Sequence, residues 1–177
     1  MTVQPPRKIT IWKLNYDSVH LYKLNQLMKA GQEGFIAITM DEGIAHIFVV
    51  TSGKTILKSK VEKAIAKNNN VFGKHGASKN KFFDKIIQDL TFYFSGENAS
   101  AFKSVSCIVV GSPGFWAENF FKYLQNAAAN LDTPFLKDVV SKTMTTHISS
   151  GYRHSLKEIM GSEAVQQRIK NMACLSE

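Results

Sequence analysis

The sequence has few cysteines, with only two among its 177 residues. Cys107 lies within an apolar run and Cys174 lies near the end of the chain. Two thiols placed in this way build neither a disulfide framework nor the four-ligand set of a structural zinc site. We therefore expect reduced thiols, no bound metal and no cofactor.

Long apolar runs are also missing. No stretch reaches the ~20 residues that a membrane-spanning helix needs, and no secretory leader is visible. The sequence thus predicts a cytoplasmic protein with no membrane partner. A hydrophobic content of 44% is enough for one packed domain, with room for a short appendage.

Acidic residues are scarce relative to basic ones. The chain carries 22 Lys plus Arg and 14 Asp plus Glu, which gives a formal net charge of +8. A surplus of this sign favours a polyanionic partner, with nucleic acid first and an anionic membrane surface second.

The strongest local pattern is a strand, a turn and a helix around residues 107–124. The apolar run at 107–110 is typical of a strand buried on both faces, and Gly111-Ser112-Pro113-Gly114 breaks it. Ser112 is predicted to cap the following helix, with Pro113 at its first position. The turn lacks both GxxxxGK[ST] and GxGxxG, so we interpret it as architecture and not as a phosphate site.

The remaining segments predict a mixed five-stranded sheet flanked by helices, that is, an α/β fold. Two short turns join the strands at 35–40, 44–50 and 55–62, so these strands must be antiparallel. In the third strand, Leu57, Ser59 and Val61 are predicted to share one face. A fifth strand at 139–147 is expected to run parallel to the strand at 107, because a helix separates them. Further helices are predicted after Ser78, after Ser149 with Tyr152 turned inward, and after Ser162.

One polar segment, residues 64–77, has no useful periodicity. Three consecutive asparagines and two glycines are typical of a long mobile loop, which in a compact domain is often functional. The helix after it is predicted to begin at Ser78.

Three segments resemble one family in order and spacing. Residues 41–47 (DEGIAHI), 111–115 (GSPGF) and 147–152 (HISSGY) are similar to the middle domain of Pelota, the ribosome-rescue relative of the eukaryotic class 1 release factor. The resemblance covers about residues 8–172 and implies a ribonuclease H-like fold. It assigns residues 1–31 to the end of a preceding domain plus a linker helix, and residues 32–177 to the central domain.

The resemblance also implies a function. The family acts in no-go and non-stop mRNA decay, where it binds the empty A site of stalled ribosomes with a release-factor-3-like translational GTPase. An ABC-type recycling ATPase then splits the subunits. The release factor's peptide-releasing Gly-Gly-Gln is absent from this sequence, so we expect no catalytic residues and no peptide release.

The resemblance implies that the segment after the third strand contacts tRNA and rRNA. The family's tight basic cluster is diluted here over eight candidate residues. They are Lys58, Lys60, Lys63, Lys67, Lys74, His75, Lys79 and Lys81.

Two alternatives remain open. A metal-dependent nuclease of ribonuclease H-like fold needs three or four converging carboxylates. Asp41 and Glu42 lie at the end of one predicted strand, and Glu62 ends another. A generic RNA-binding module needs exposed aromatic residues, which the sequence pattern does not predict. His46 is interpreted as a hydrogen-bonded core histidine, and the serines and histidines of residues 147–154 are assigned to capping and packing.

Overall fold

The computed structural model describes residues 17–19, 21, 34–51, 54–64, 74–95 and 102–174. Residues 9–14, in which the sequence also suggests an edge strand, lie outside these residues, as do nearly all of the predicted linker helix and Lys67. The described part is built around one five-stranded sheet. Its strands are β1 (Gly34–Asp41), β2 (Ile44–Thr51), β3 (Thr55–Glu62), β4 (Val105–Ser112) and β5 (Thr143–His147).

The strand order is β3-β2-β1-β4-β5. Strand β2 pairs antiparallel with both β1 and β3, whereas β4 pairs parallel with β1 and β5. The predicted mixed sheet, with an antiparallel meander followed by parallel strands, is confirmed. The short turns permit only antiparallel pairing, while the helical connections permit parallel crossovers.

Five helices flank the sheet in the described residues. They are α1 (Lys74–Phe94), α2 (Trp116–Leu131), α3 (Pro134–Lys142), α4 (Leu156–Gly161) and α5 (Glu163–Cys174). A single 3₁₀ turn, Arg153–Ser155, leads into α4.

Two predicted boundaries were wrong. Residues 139–142 belong to α3 and not to the fifth strand, because Pro134 starts a helix that buries Leu136 and Val139 on one side. Helix α1 begins at Lys74, one turn before the predicted Ser78. Residues 74–77 are therefore helical, and the rest of the predicted mobile loop, residues 65–73, lies outside the described residues.

The sheet separates two apolar cores. Its first face carries Ile36, Ile38 and Met40 of β1 and packs on α1, α2 and α3, where Phe83 and Phe120 meet edge to face with ring centroids 5.3 Å apart. Its second face packs on α4, α5 and the segment that precedes them. Strand β4 supplies buried residues to both cores, which explains its unbroken apolar sequence.

A β-bulge interrupts the alternation of β3. Ser59 lies opposite Ile47, but Leu57 lies opposite Phe48, so one residue is added between the two pairs. Leu57 consequently packs on the second core, whereas Val61 is buried in the first. The prediction that Leu57 shares a face with Ser59 and Val61 was wrong for Leu57.

Candidate nucleic-acid interface at one edge of the sheet

One edge of the sheet gathers all three segments that carry the family resemblance. Strands β1, β3, β4 and β5 point in the same direction, so their last residues meet there. We call this the carboxyl edge. It holds the turn after β1, the turn between β4 and α2, and the segment after β5. Lys79 of α1 lies beside Trp116 of α2, which places the beginning of α1 near this edge as well.

The segment after β5 is fixed to β1 and β2 through one carbonyl group. The Gly151 oxygen accepts hydrogen bonds from the Thr39 hydroxyl at 3.0 Å and from Nδ1 of His46 at 3.1 Å. Both donors are buried. A Cβ on residue 151 would lie 2.5 Å from the backbone nitrogen of Asp41, so only glycine allows this approach. We call residues 149–155 the anchored turn.

His46 is the core histidine that the sequence predicted. Because a carbonyl oxygen only accepts, Nδ1 of His46 must carry the proton of this hydrogen bond. Burial lowers the pKa of the imidazole, and the bond to Gly151 offsets this only in part. The imidazole is therefore neutral at physiological pH.

Short polar contacts hold the remainder of the anchored turn. The Ser150 hydroxyl lies 3.1 Å from Nε2 of His154 and 2.7 Å from the Ser155 hydroxyl. The Glu158 carboxylate accepts bonds from the Ser149 hydroxyl and backbone, and these bonds lower the pKa of Glu158. Ser149, Ser150 and His154 are thus used within the turn, but no side chain of the described residues caps the 3₁₀ turn or α4, so the predicted capping role was wrong.

Tyr152 departs from the prediction. It was expected to face inward, but 53% of its surface is exposed. Its ring lies nearly parallel to that of His154, with an interplanar angle of 14° and centroids 6.1 Å apart. The cause is Gly151, whose buried carbonyl fixes the backbone and leaves the next side chain on the outside.

The candidate basic residues divide into several groups. Lys60 and Lys63 lie at or just beyond the end of β3, on the carboxyl edge, and both are exposed. The Lys60 ammonium pairs with Glu62 at 2.6 Å. Lys58 is exposed in the middle of β3, and Lys81 is exposed on α1. Lys74 and His75 are placed by their backbone in the first turn of α1.

Lys79 has a structural role. Its ammonium lies 5.3 Å from the centroid of the Trp116 ring and 5.6 Å from that of Phe83. Partial burial lowers its pKa. Such cation–π contacts join α1 to α2, so Lys79 is less available to RNA than the other candidates.

Arg153 is a basic residue of this edge that sequence reasoning missed. It is exposed on the anchored turn, close enough to His46 for its charge to lower that residue's pKa. Lys60, which lies opposite His46 in the sheet, has the same effect. The two cations therefore lie on the same side of the carboxyl edge. The only sequence signal was an aromatic and basic run directly after Ser-Ser-Gly.

The turn between β4 and α2 differs in detail from its prediction. Ser112 is the last residue of β4, and α2 begins only at Trp116. The Ser112 hydroxyl still accepts the backbone N–H of Ala117 at 2.8 Å, as a cap would. Gly114 has a φ of +59°, and 76% of the Phe115 surface is exposed. The predicted helix start at Pro113 was therefore wrong by three residues.

The acidic residues do not form a nuclease centre. Within the described ranges, no group of three or more His, Cys, Asp or Glu residues could hold a metal ion. Asp41 and Glu62 both lie opposite Ile44 on either side of β2, so they are two strands apart. Asp41 accepts the backbone N–H of Glu42, and Glu62 pairs with Lys60. The nuclease alternative is not favoured.

In the part of the chain that the structure describes, no helix is both long and apolar enough to cross a membrane.

The mixed sheet and the three segments on its carboxyl edge define an α/β domain of the release-factor middle-domain type. The family model for eRF1 domain 2 matches residues 34–171. The chain belongs to this family, and its similar relatives are Pelota proteins.

Two curated relatives show the extent of the match. The Protein pelota homolog of Danio rerio is 34% identical over 173 residues, which cover 97% of this chain and 43% of the relative. Protein pelota of Drosophila melanogaster is 30% identical over a match that covers 97% of this chain and 42% of the relative. This chain thus spans less than half the length of these relatives.

A solved structure has the same fold. The structure of S. cerevisiae Dom34 superposes with a TM-score of 0.65 and 23% sequence identity, over 90% of this chain and 41% of that one. The yeast protein is described as a translation termination-like factor involved in RNA quality control pathways and interacting with Hbs1.

Proposed function

We propose that this chain is the central domain of a Pelota-type ribosome-rescue factor that acts in no-go and non-stop decay. The observation that carries the proposal is the convergence of three family segments, from β1–β2, β4–α2 and the anchored turn, on one edge beside the basic end of β3. We assign residues 1–31 to the preceding domain and its linker helix, and residues 32–177 to the central domain.

The basic side chains at the end of β3 bind phosphates of tRNA and rRNA in the empty A site. Lys60 and Lys63 are exposed on the carboxyl edge, and exposed lysines bind phosphates without reading sequence. Lys58 and Lys81, which are both exposed, extend this basic surface along β3 and α1. We assign Lys67, Lys74 and His75 to the same contact with RNA.

The domain leaves the peptide on the tRNA. Release-factor chemistry needs two glycines that let a loop enter the peptidyl-transferase centre and a glutamine that orients water. The sequence contains no Gly-Gly-Gln, and the nearest amide-rich run is Asn68-Asn69-Asn70. The protein then acts by occupying the A site and not by catalysis.

Its partners follow from the family. A release-factor-3-like translational GTPase delivers the protein, in keeping with the description of the yeast relative as interacting with Hbs1. The participation of an ABC-type ATPase in subunit splitting, and a cytoplasmic location, rest on the resemblance to Pelota alone.

The test is binding of the 177-residue chain to purified ribosomes with an empty A site. The test variant changes Lys60, Lys63, Lys67 and Lys74 to Glu. The control variant makes the same change of charge at exposed lysines elsewhere, namely Lys54, Lys103, Lys122 and Lys137.

The test variant should bind more weakly than the control variant. The slope of log affinity against log salt should fall by ~0.7–0.9 for each phosphate that the variant no longer neutralises. Folding should be nearly unaffected in both, since exposed charges contribute little to stability. Equal binding by the two variants would show that the ribosome is not bound through the end of β3.

A further inference from the structure

The anchored turn is rigid, yet it exposes a flat aromatic surface. Two buried hydrogen bonds to the Gly151 carbonyl fix its backbone. The Ser150 hydroxyl holds the His154 imidazole through Nε2. The Tyr152 ring lies nearly parallel to this imidazole with half of its surface exposed. The His154 ring is therefore held in place, and the Tyr152 ring lies against it with much of its surface exposed.

One cationic side chain beside this surface is free to contact an anion. Arg153, between the two rings in sequence, is exposed and forms no ion pair with the described residues. The nearby carboxylates already have partners. Glu158 accepts hydrogen bonds from Ser149, and Asp41 accepts one from a backbone N–H. Glu62 pairs with Lys60. The guanidinium is thus the charged group of the turn that remains available.

From this arrangement we propose that the anchored turn binds an unpaired RNA nucleotide. The base stacks on the exposed aromatic surface of Tyr152 and His154, and the phosphate contacts Arg153. Base stacking on aromatic side chains together with a basic side chain is how proteins hold single-stranded RNA. The inference rests on the proposed ribosomal function, and adds a site for unpaired RNA to the phosphate contacts at the end of β3.

The test measures binding of a short, labelled, unpaired RNA of mixed sequence to the 177-residue chain by fluorescence anisotropy. The same RNA annealed to its complement is the competing substrate. Tyr152→Ala should weaken binding of unpaired RNA by about 5- to 150-fold, the range expected for one stacked base. Tyr152→Phe keeps the ring and should bind like the unchanged chain.

Phe92→Ala is the matched control. Phe92 is an even more exposed aromatic residue, with 76% of its surface exposed near the end of α1, away from the carboxyl edge. Its removal should leave RNA binding unchanged. Tyr152 is half exposed, so its replacement should not prevent folding, and circular dichroism checks this.

A second measurement needs no variant. RNA carrying 4-thiouridine, irradiated in complex with the unchanged chain, should cross-link within residues 152–154. Cross-links confined to other segments would overturn the proposal, as would equal binding of unpaired RNA by Tyr152→Ala and the unchanged chain. A loss of GTPase binding in Tyr152→Ala with unchanged RNA binding would assign the surface to a protein partner and overturn it too.

The failure of this inference is distinguishable from the failure of the proposed function. If the chain binds ribosomes through the lysines at the end of β3 but unpaired RNA binds independently of Tyr152, only the inference fails. If unpaired RNA binding depends on Tyr152 but the chain does not bind ribosomes, the proposed function fails and the nucleotide site stands.

Discussion

Replacing Gly151 with alanine should destabilise the domain strongly. The added Cβ would lie 2.5 Å from the Asp41 backbone nitrogen and 2.6 Å from the Met40 carbonyl carbon. Ordinary contacts of this kind are ~3.4–4 Å, so the anchored turn must withdraw by about 1 Å. The hydrogen bonds at 3.0 and 3.1 Å to Thr39 and His46 then exceed hydrogen-bonding distance.

The expected cost follows from the two buried donors left behind. Each unsatisfied buried polar group costs ~1–3 kcal/mol, so Gly151→Ala should lower the free energy of unfolding by about 2–6 kcal/mol. This is a large part of the ~5–15 kcal/mol that stabilises a typical domain. Urea unfolding followed by circular dichroism measures it as a lower midpoint with an unchanged slope.

Gly161→Ala is the matched control. Gly161 ends α4, and a Cβ there meets no atom within 4 Å. Alanine should be neutral or stabilise by up to ~1 kcal/mol, because it restricts the unfolded chain. The reasoning is refuted if Gly151→Ala is as stable as Gly161→Ala.

A double-mutant cycle identifies the mechanism. Thr39→Val removes one of the two donors and should cost ~1 kcal/mol in the unchanged chain. In the Gly151→Ala background the hydrogen bond is already broken, so the same change should cost much less. If the costs of Thr39→Val and Gly151→Ala simply added, the Cβ at residue 151 would destabilise the domain without breaking the hydrogen bond to Thr39.

Three further predictions concern single groups. Burial lowers the pKa of His46 in the folded state, so its contribution to stability is complete above about pH 6.5 and is lost as the pH falls through the folded pKa. His46→Asn should flatten the dependence of the urea midpoint on pH below 6.5, and an unchanged slope would contradict this. Ser112→Ala removes the acceptor of a backbone N–H in α2 and should lower the free energy of unfolding by ~1 kcal/mol. The control is Thr133→Ala, at a helix start without a side-chain cap bond, which should change stability by less than ~0.5 kcal/mol. Equal costs of the two substitutions would contradict the capping role of Ser112. Burial and the hydrogen bond to Asp84 raise the pKa of Tyr123 to about 12. Ultraviolet titration should therefore show one tyrosine that ionises at high pH, and Asp84→Asn should lower its pKa toward the ordinary value. A titration unchanged by Asp84→Asn would exclude the carboxylate as a cause.

The sheet was predictable because its signals are local. The predicted turns at 41–43 and 51–53 are too short for anything but antiparallel pairing. The apolar run of β4 predicted burial on both faces, and the structure confirms it. Turn length and hydrophobicity, both readable within a few residues, decided these elements.

The errors arose where tertiary packing overrides a local preference. Val139 and Val140 are β-branched and favour a strand, yet they lie in a helix that buries Leu136 and Val139. The alternation of β3 failed at Leu57, because the bulge depends on the register with β2. Neither the packing of the helix nor the register of the strands can be predicted from the neighbouring residues alone.

The site was predicted only in part for a related reason. The lysines at and after the end of β3 were chosen from their charge and from the family resemblance, and their role stays a prediction. The exposure of Tyr152 depends on hydrogen bonds that Thr39 and His46, 112 and 105 residues away, donate to the Gly151 carbonyl. No periodicity within the turn encodes a contact across such a separation.

The three segments that mark the family hold one another in place. Gly151 of the third segment packs on Asp41 of the first and binds His46. The Ile148 N–H donates to the Ser112 oxygen of the second segment, and a Cβ on Gly111 would meet the Ile148 side chain at 2.9 Å. These residues therefore specify the shape of the carboxyl edge and not its contacts with a partner.

Substitutions that lower stability should therefore fall at different residues from substitutions that weaken binding. Substitutions at buried residues of the segments, such as Gly151→Ala, should reduce stability first and binding only as a consequence. Substitutions at exposed residues of the same edge, such as Lys63 and Tyr152, should reduce binding while the urea midpoint stays constant. The diluted lysines are compatible with family membership for the same reason, because the edge is shaped by buried contacts that do not involve them. A variant of Lys63 or Tyr152 whose binding fell only in proportion to its stability would contradict this separation.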